Sequence, residues 1–151
     1  MKRLSGPATS IIDRQRDLID EFMLFDDWAE RYQYLIDLGE TLPPLPSSMR
    51  TDANRIAGCY SETYLAAEWM NGRLQLQGAS EMPALAGLLA IAIRVYSGEV
   101  AGDILRHPPK LFDQIGLTRR LSPHRRVALL QIHERLIALA SGFPEASKLA
   151  S

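Results

Sequence analysis

Between Ile12 and Phe25 the apolar residues Leu18, Ile19, Phe22 and Phe25 recur three and four positions apart among charged neighbours. That is the period of an amphipathic helix. A second stripe, Trp28, Tyr32, Leu35 and Ile36, predicts another helix within "DDWAERYQYLIDLGETLPPLP". Asp26 or Asp27 supplies a carboxylate N-cap, favourable at that end of the helix dipole. Gly39 reads as a left-handed stop, and Pro43, Pro44 and Pro46 bar any continuation. A polar connector, "SSMRTDANR", follows.

Beyond it the period changes from helical to alternating. "ETYLAAEWM" and "RLQLQG" flank Asn71-Gly72, a pair that tolerates positive φ at both positions and so suits a tight type I′ hairpin. A short strand over residues 55–58 is expected as the third antiparallel partner, with helices covering one face of the sheet. Ser80 reads as the cap of a helix whose first turn holds Glu81 and Pro83. Its stripe is Leu85, Leu88, Leu89, Ala92, Val95 and Tyr96, and Ser97-Gly98 ends it. Residues 100–116, interrupted by Pro108 and Pro109, predict short helical pieces. "SPHRRVALLQIHERLIALA" is the last long helix, with Ser122 as N-cap and Pro123 at its first position. The expected fold class is α+β, a small three-stranded antiparallel sheet packed against several helices. Residues 1–11 read as a flexible lead-in, 12–141 as one domain and 142–151 as a tail.

A length of 151 residues with 46% hydrophobic content supports a core without disulfides or a structural metal. The net charge of -1 offers no general attraction for nucleic acid or an anionic membrane. Charged residues interrupt the N-terminal segment before an apolar run develops, so no secretory signal is expected. No stretch reaches the length of a membrane span. A cytoplasmic protein is the expectation, and it fits the single cysteine. His107, His124 and His133 stand far apart without zinc-ligand spacing, so no metal or other bound cofactor is expected. Phosphate-binding glycine loops and a serine nucleophile elbow are absent as well.

Cys59, in "IAGCYS", is the one cysteine of the chain. A free cysteine often serves as a small apolar filler. Against that reading, Gly58 removes bulk beside the thiol and frees the backbone, and the pair stands in a turn leading into the hairpin, where function concentrates. Composition and spacing leave both readings open. His124, Arg125 and Arg126 place cations in a helix first turn, where the dipole prefers anions. They read either as solvated charges or, for Arg125, as a contact to the thiol loop or to a partner. Glu81 is accounted for by the helix dipole alone.

Four segments taken in order resemble the SufE-like family of sulfur-acceptor proteins, which includes the CsdE branch. They are "RYQYLIDLGETLPPLP" (31–46), "NRIAGCYSETYLAAEW" (54–69), "LQLQGASEMPALAGLLAIAIRVYSGE" (74–99) and "IGLTRRLSPHRR" (115–126). The resemblance implies a SufE/IscU-like fold across 12–141. It implies a carrier that takes persulfide sulfur from a cysteine desulfurase (SufS/CsdA-like), stimulates that enzyme, and passes the sulfur toward iron–sulfur cluster assembly or another acceptor. Pyridoxal phosphate belongs to the desulfurase. By position Cys59 is the acceptor and Gly58 the loop hinge. Arg125 falls where the family commonly has arginine, and Glu81 where it usually has aspartate; both are expected to contact the partner. Persulfide transfer needs one accessible thiol and no metal. A cluster scaffold needs several thiolates, so a single cysteine separates carrier from scaffold. Two other readings differ in class: a thiol hydrolase pairing Cys59 with His124 or His133, and a regulatory binding module in which Cys59 only fills space.

Overall fold

The computed structural model describes residues 10–56 and 61–143. Helix α1 (Ile11–Met23) begins at Ser10, whose hydroxyl accepts from the Asp13 N–H. Helix α2 (Trp28–Glu40) begins at Asp27, whose carboxylate accepts from the Glu30 N–H at 2.9 Å. Of the two expected caps, Asp27 takes the role. The proline-rich connector then makes two short 3-10 turns, Ser47–Met49 and Asp52–Asn54.

Strands β1 (Thr63–Met70) and β2 (Arg73–Ser80) pair antiparallel from Thr63↔Ser80 to Met70↔Arg73. Asn71 and Gly72 take φ of 54° and 78° at the turn, the double positive φ that the Asn-Gly pair predicts. Helix α3 (Pro83–Tyr96) follows. It is apolar around most of its circumference and buried from Ala84 to Leu89, as a helix enclosed by other elements must be. It packs against α1, α2, β1, β2 and the last helix. Gly98, at φ 88°, turns the chain back, and its N–H donates to the Leu74 carbonyl at 2.6 Å. Strand β3 (Glu99–Val100) then pairs with β2, giving the order β1-β2-β3. Four helices complete the described residues: α4 (Ala101–Arg106), α5 (Leu111–Gln114), α6 (Leu117–Arg120) and α7 (Pro123–Ser141).

The three-stranded antiparallel sheet is as expected in class, and among the described residues its third strand is β3. Arg55 makes a single antiparallel bridge to Tyr64 and the Ile56 N–H donates to the Thr63 carbonyl. The rest of the 55–58 segment lies outside the described residues. The third strand is β3, because Gly98 returns the chain along the other edge of β2. One face of the sheet meets α3. On the other, Tyr64 and Ala66 are covered by Leu45 of the connector, with Met49 packed beside them. Residues 1–9 and 144–151 of the expected lead-in and tail lie outside the described residues. Ile11 already belongs to α1 and is buried, and Phe143 stacks on Trp69.

Gly39 is not a left-handed stop. It lies inside α2 and is absent from the positive-φ glycines of the described residues. Its function is close approach: a Cβ there would meet the Gly87 backbone nitrogen at 2.7 Å, and a Cβ on Gly87 would overlap the Leu35 carbonyl. The two glycines let α2 and α3 pack backbone to backbone. Overpacking a core typically costs about 1–3 kcal/mol. Gly87→Ala is expected near the top of that range, because the obstacle is a carbonyl that cannot rotate away. A fall in the urea midpoint checks it, and an unchanged midpoint would show that the helices separate freely.

Candidate functional site

The segment carrying Cys59 is bounded by described residues on both sides. On entry, the Thr51 hydroxyl accepts from the Asn54 N–H. Arg55 bridges to Tyr64, and Ile56, only 2% exposed, donates its N–H to Thr63 at 2.8 Å. On exit, Ser61 shares a hydroxyl hydrogen bond with Thr63 at 3.2 Å, and Thr63 shares one with Ser80 at 2.8 Å. The Ser80 hydroxyl also accepts from the Met82 N–H. Gly58 and Cys59 themselves lie outside the described residues.

The β1–β2 register explains where Glu81 falls. Thr63 stands opposite Ser80, so the next residues outward are Glu62 and Glu81, and the Glu81 N–H donates to the Glu62 carbonyl at 3.3 Å. Glu81 is therefore tied to a residue three positions beyond Cys59, and both carboxylate-bearing residues are exposed. The expectation that Ser80 caps α3 and that Glu81 lies in its first turn is corrected. Ser80 is the last residue of β2, Met82 is the N-cap without a side-chain bond, and Pro83 opens the helix. Ladder pairing to Thr63 keeps Ser80 extended, and the proline ring holds the residue before it in extended geometry. Met82 accordingly has φ -91° and ψ 121°.

Arg125 sits in the first turn of α7, where the Ser122 hydroxyl accepts from its N–H as the sequence predicts. Its guanidinium reaches the same hydroxyl at 3.4 Å and stands 5.9 Å from the Tyr32 ring of α2. Arg120 stands 5.5 Å from the Trp28 ring. Among the described residues no carboxylate pairs with Arg119, Arg120, Arg125 or Arg126. Arg120 of α6 and Arg125 of α7 thus each stand over an aromatic ring of α2. Glu81 and Arg125 have no hydrogen bond or ion pair to each other among the described residues. His133 lines a groove with Phe112, Leu129 and Leu130, and His124 is half-buried at the start of α7. No three His, Cys, Asp or Glu side chains among the described residues form a metal-binding group, and none of the helices there is long and apolar enough to cross a membrane.

Sequence reasoning missed Arg135. From α7 its guanidinium donates to the Leu65 carbonyl at 3.2 Å and to the Arg55 carbonyl at 2.9 Å. The signal was slight: a cation three residues after Ile132 and beside Leu136, both buried, where i,i+3 neighbours share a face.

Residues 16–140 match the SufE family model, described as an Fe-S metabolism associated domain. The chain is 34% identical over 130 residues to an uncharacterised SufE-like protein of Rhizobium meliloti (strain 1021), covering 83% of this chain and 93% of that protein. It is 35% identical over 125 residues to the sulfur acceptor protein CsdE of Escherichia coli (strain K12), covering 80% and 84% respectively. The solution structure of a hypothetical protein from Thermus thermophilus superposes with a TM-score of 0.69 at 20% identity, over 85% of this chain and 93% of that one, a likeness of fold. With the family model spanning most of its length and two relatives above 30% identity, the chain belongs to the SufE family.

Proposed function

We propose that this protein is a sulfur acceptor. It takes sulfur as a persulfide onto Cys59 from a pyridoxal-phosphate-dependent cysteine desulfurase, and hands it to an iron–sulfur scaffold or another acceptor. The observation that carries the reading is the single thiol, placed in a short connection whose two ends are hydrogen-bonded to β1. A named sulfur acceptor among the relatives supports it.

The transfer is a thiol exchange. The Cys59 thiolate attacks the terminal sulfur of the desulfurase persulfide, and a new S–S bond forms at Cys59. The S–S bond within the donor breaks, and its electron pair leaves on the desulfurase cysteine as a thiolate. The terminal proton stays with the transferred sulfur, so no external oxidant or reductant is needed. The freed desulfurase thiolate can accept sulfur from the next cysteine, which is how acceptance stimulates the enzyme. With no second cysteine in the chain, the persulfide cannot close into an internal disulfide and lose its sulfur as sulfide. A thiol held against apolar side chains until docking is protected from oxidation and from premature discharge. Gly58 absorbs the backbone change when the thiol turns toward the donor.

Glu81 and Arg125 contact the desulfurase. Glu81 is exposed beside the exit of the thiol connection, and the Arg125 guanidinium, over the Tyr32 ring, pairs with no carboxylate of the described residues. The site works in the cytoplasm and needs no cofactor of its own.

Incubation with a desulfurase and free cysteine, followed by intact-mass and peptide analysis, tests the reading. Whole sulfur atoms should appear on residue 59 and be removed by a thiol reductant. Glu81→Lys and Arg125→Ala should each raise several-fold the concentration needed for half-maximal stimulation, with uptake at saturation unchanged. An unmodified residue 59 in the presence of a sulfur-loaded desulfurase would refute the proposal. Hydrolysis of a thioester without any desulfurase would favour a thiol enzyme instead.

A further inference from the structure

We infer that Arg135 is a positioning residue for Cys59, an inference that rests on the reading above. In the order β1-β2-β3, β1 is an edge strand. The carbonyls of its alternate residues on the free side have no ladder neighbour of their own. Thr63 satisfies its carbonyl with the Ile56 N–H, but the pairing stops there, because the Arg55–Tyr64 contact is an isolated bridge. The next carbonyl on that side, Leu65, is met by Arg135, which reaches it at 3.2 Å and the Arg55 carbonyl at 2.9 Å. One guanidinium thus stands in for the missing strand, and it does so from α7.

The planar fork suits this use. Its donors diverge in fixed directions and remain charged at any physiological pH, so two carbonyls on separate segments can be held at once. A lysine ammonium is a compact, flexible point donor and matches such a pair poorly. The segment so clasped is the last stretch before the thiol: Arg55 precedes Cys59 by four residues, and Ile56, also held to Thr63, is buried in the core. The exit is anchored separately through Ser61, Thr63 and Ser80. Arg135 therefore sets where the cysteine connection departs from the sheet, without belonging to the connection or touching Arg125.

Three measurements on the full chain test the inference. Amide hydrogen exchange at Ile56 should accelerate in Arg135→Met, while exchange at Leu74 in β2 stays as in wild type. Alkylation of Cys59 by iodoacetamide in the free protein should rise several-fold in Arg135→Met and by less in Arg135→Lys, at a temperature well below unfolding. Sulfur uptake by the wild type, measured alongside, reports separately on the acceptor function. Alkylation rates equal to or below wild type in both variants would overturn the positioning role, even if the thermal midpoint had shifted. Should Arg135→Met fold poorly, Arg135→Lys keeps the charge and most of the stem and carries the same test. Failure of the wild type to take up sulfur would overturn the acceptor function, while the alkylation result would still report on Arg135.

Discussion

Replacing Cys59 by serine is expected to abolish sulfur uptake from a desulfurase completely. The reason is chemical. A cysteine thiol with a pKa of about 8.5 supplies a small but highly nucleophilic thiolate fraction at neutral pH. A serine hydroxyl supplies no comparable anion and cannot hold sulfur as a persulfide. Because the chain contains one cysteine, no other side chain can take over. The measurement is intact mass after incubation with donor and free cysteine, with circular dichroism as the control for folding. Stimulation of the desulfurase should disappear with uptake, because stimulation here consists of clearing the donor's sulfur. A Cys59→Ser protein that still stimulates fully would make the chain a regulatory binding module whose cysteine is a filler.

The largest expected effect on stability comes from Arg14→Met. Arg14 on α1 forms an ion pair with Glu99 of β3, and their side chains are 16% and 9% exposed. Burial lowers the arginine's pKa, and nearby Asp13 opposes that shift. The Arg14 Nε is buried without a hydrogen-bond partner among the described residues. An ion pair so enclosed and incompletely satisfied adds little over an apolar pair of the same size, but removing one member strands the other charge. Arg14→Met should therefore cost on the order of 3–5 kcal/mol. At roughly 2–4 °C per kcal/mol for a domain of this size, the melting midpoint should fall by about 6–20 °C. The double variant Arg14→Met/Glu99→Met should recover most of the loss, since it removes the stranded carboxylate along with its partner. A single variant within about 1 kcal/mol of wild type would show that water reaches Glu99.

Much of the fold was legible because its signals are local. Asn71-Gly72 specifies a turn by φ tolerance alone, and both residues adopt positive φ. Ser122 and Pro123 specify a helix start by hydrogen-bonding capacity and ring geometry, and α7 begins there. The misreadings share a cause. Gly39 looked like a stop because glycine ends helices, yet its missing side chain accommodates Gly87, 48 residues later in the sequence numbering. Ser80 looked like a cap because serine caps helices, yet its hydroxyl is committed across the sheet to Thr63. In both cases a distant contact competed with a local preference, and periodicity carries no information about distant contacts.

The chain alone determined its long helices, the hairpin, the single available thiol and the family motifs around it, because each follows from neighbouring side chains or from composition. Tertiary structure decided the rest. It brought β3 to the free edge of β2, used Gly39 and Gly87 to bring two helices together, joined Glu81 to Glu62, and gave Arg135 its two carbonyls. Each of those outcomes depends on backbone groups far apart in sequence meeting at hydrogen-bonding or van der Waals distance. Only the packed chain can settle such meetings, because a buried carbonyl must find a donor wherever the fold supplies one.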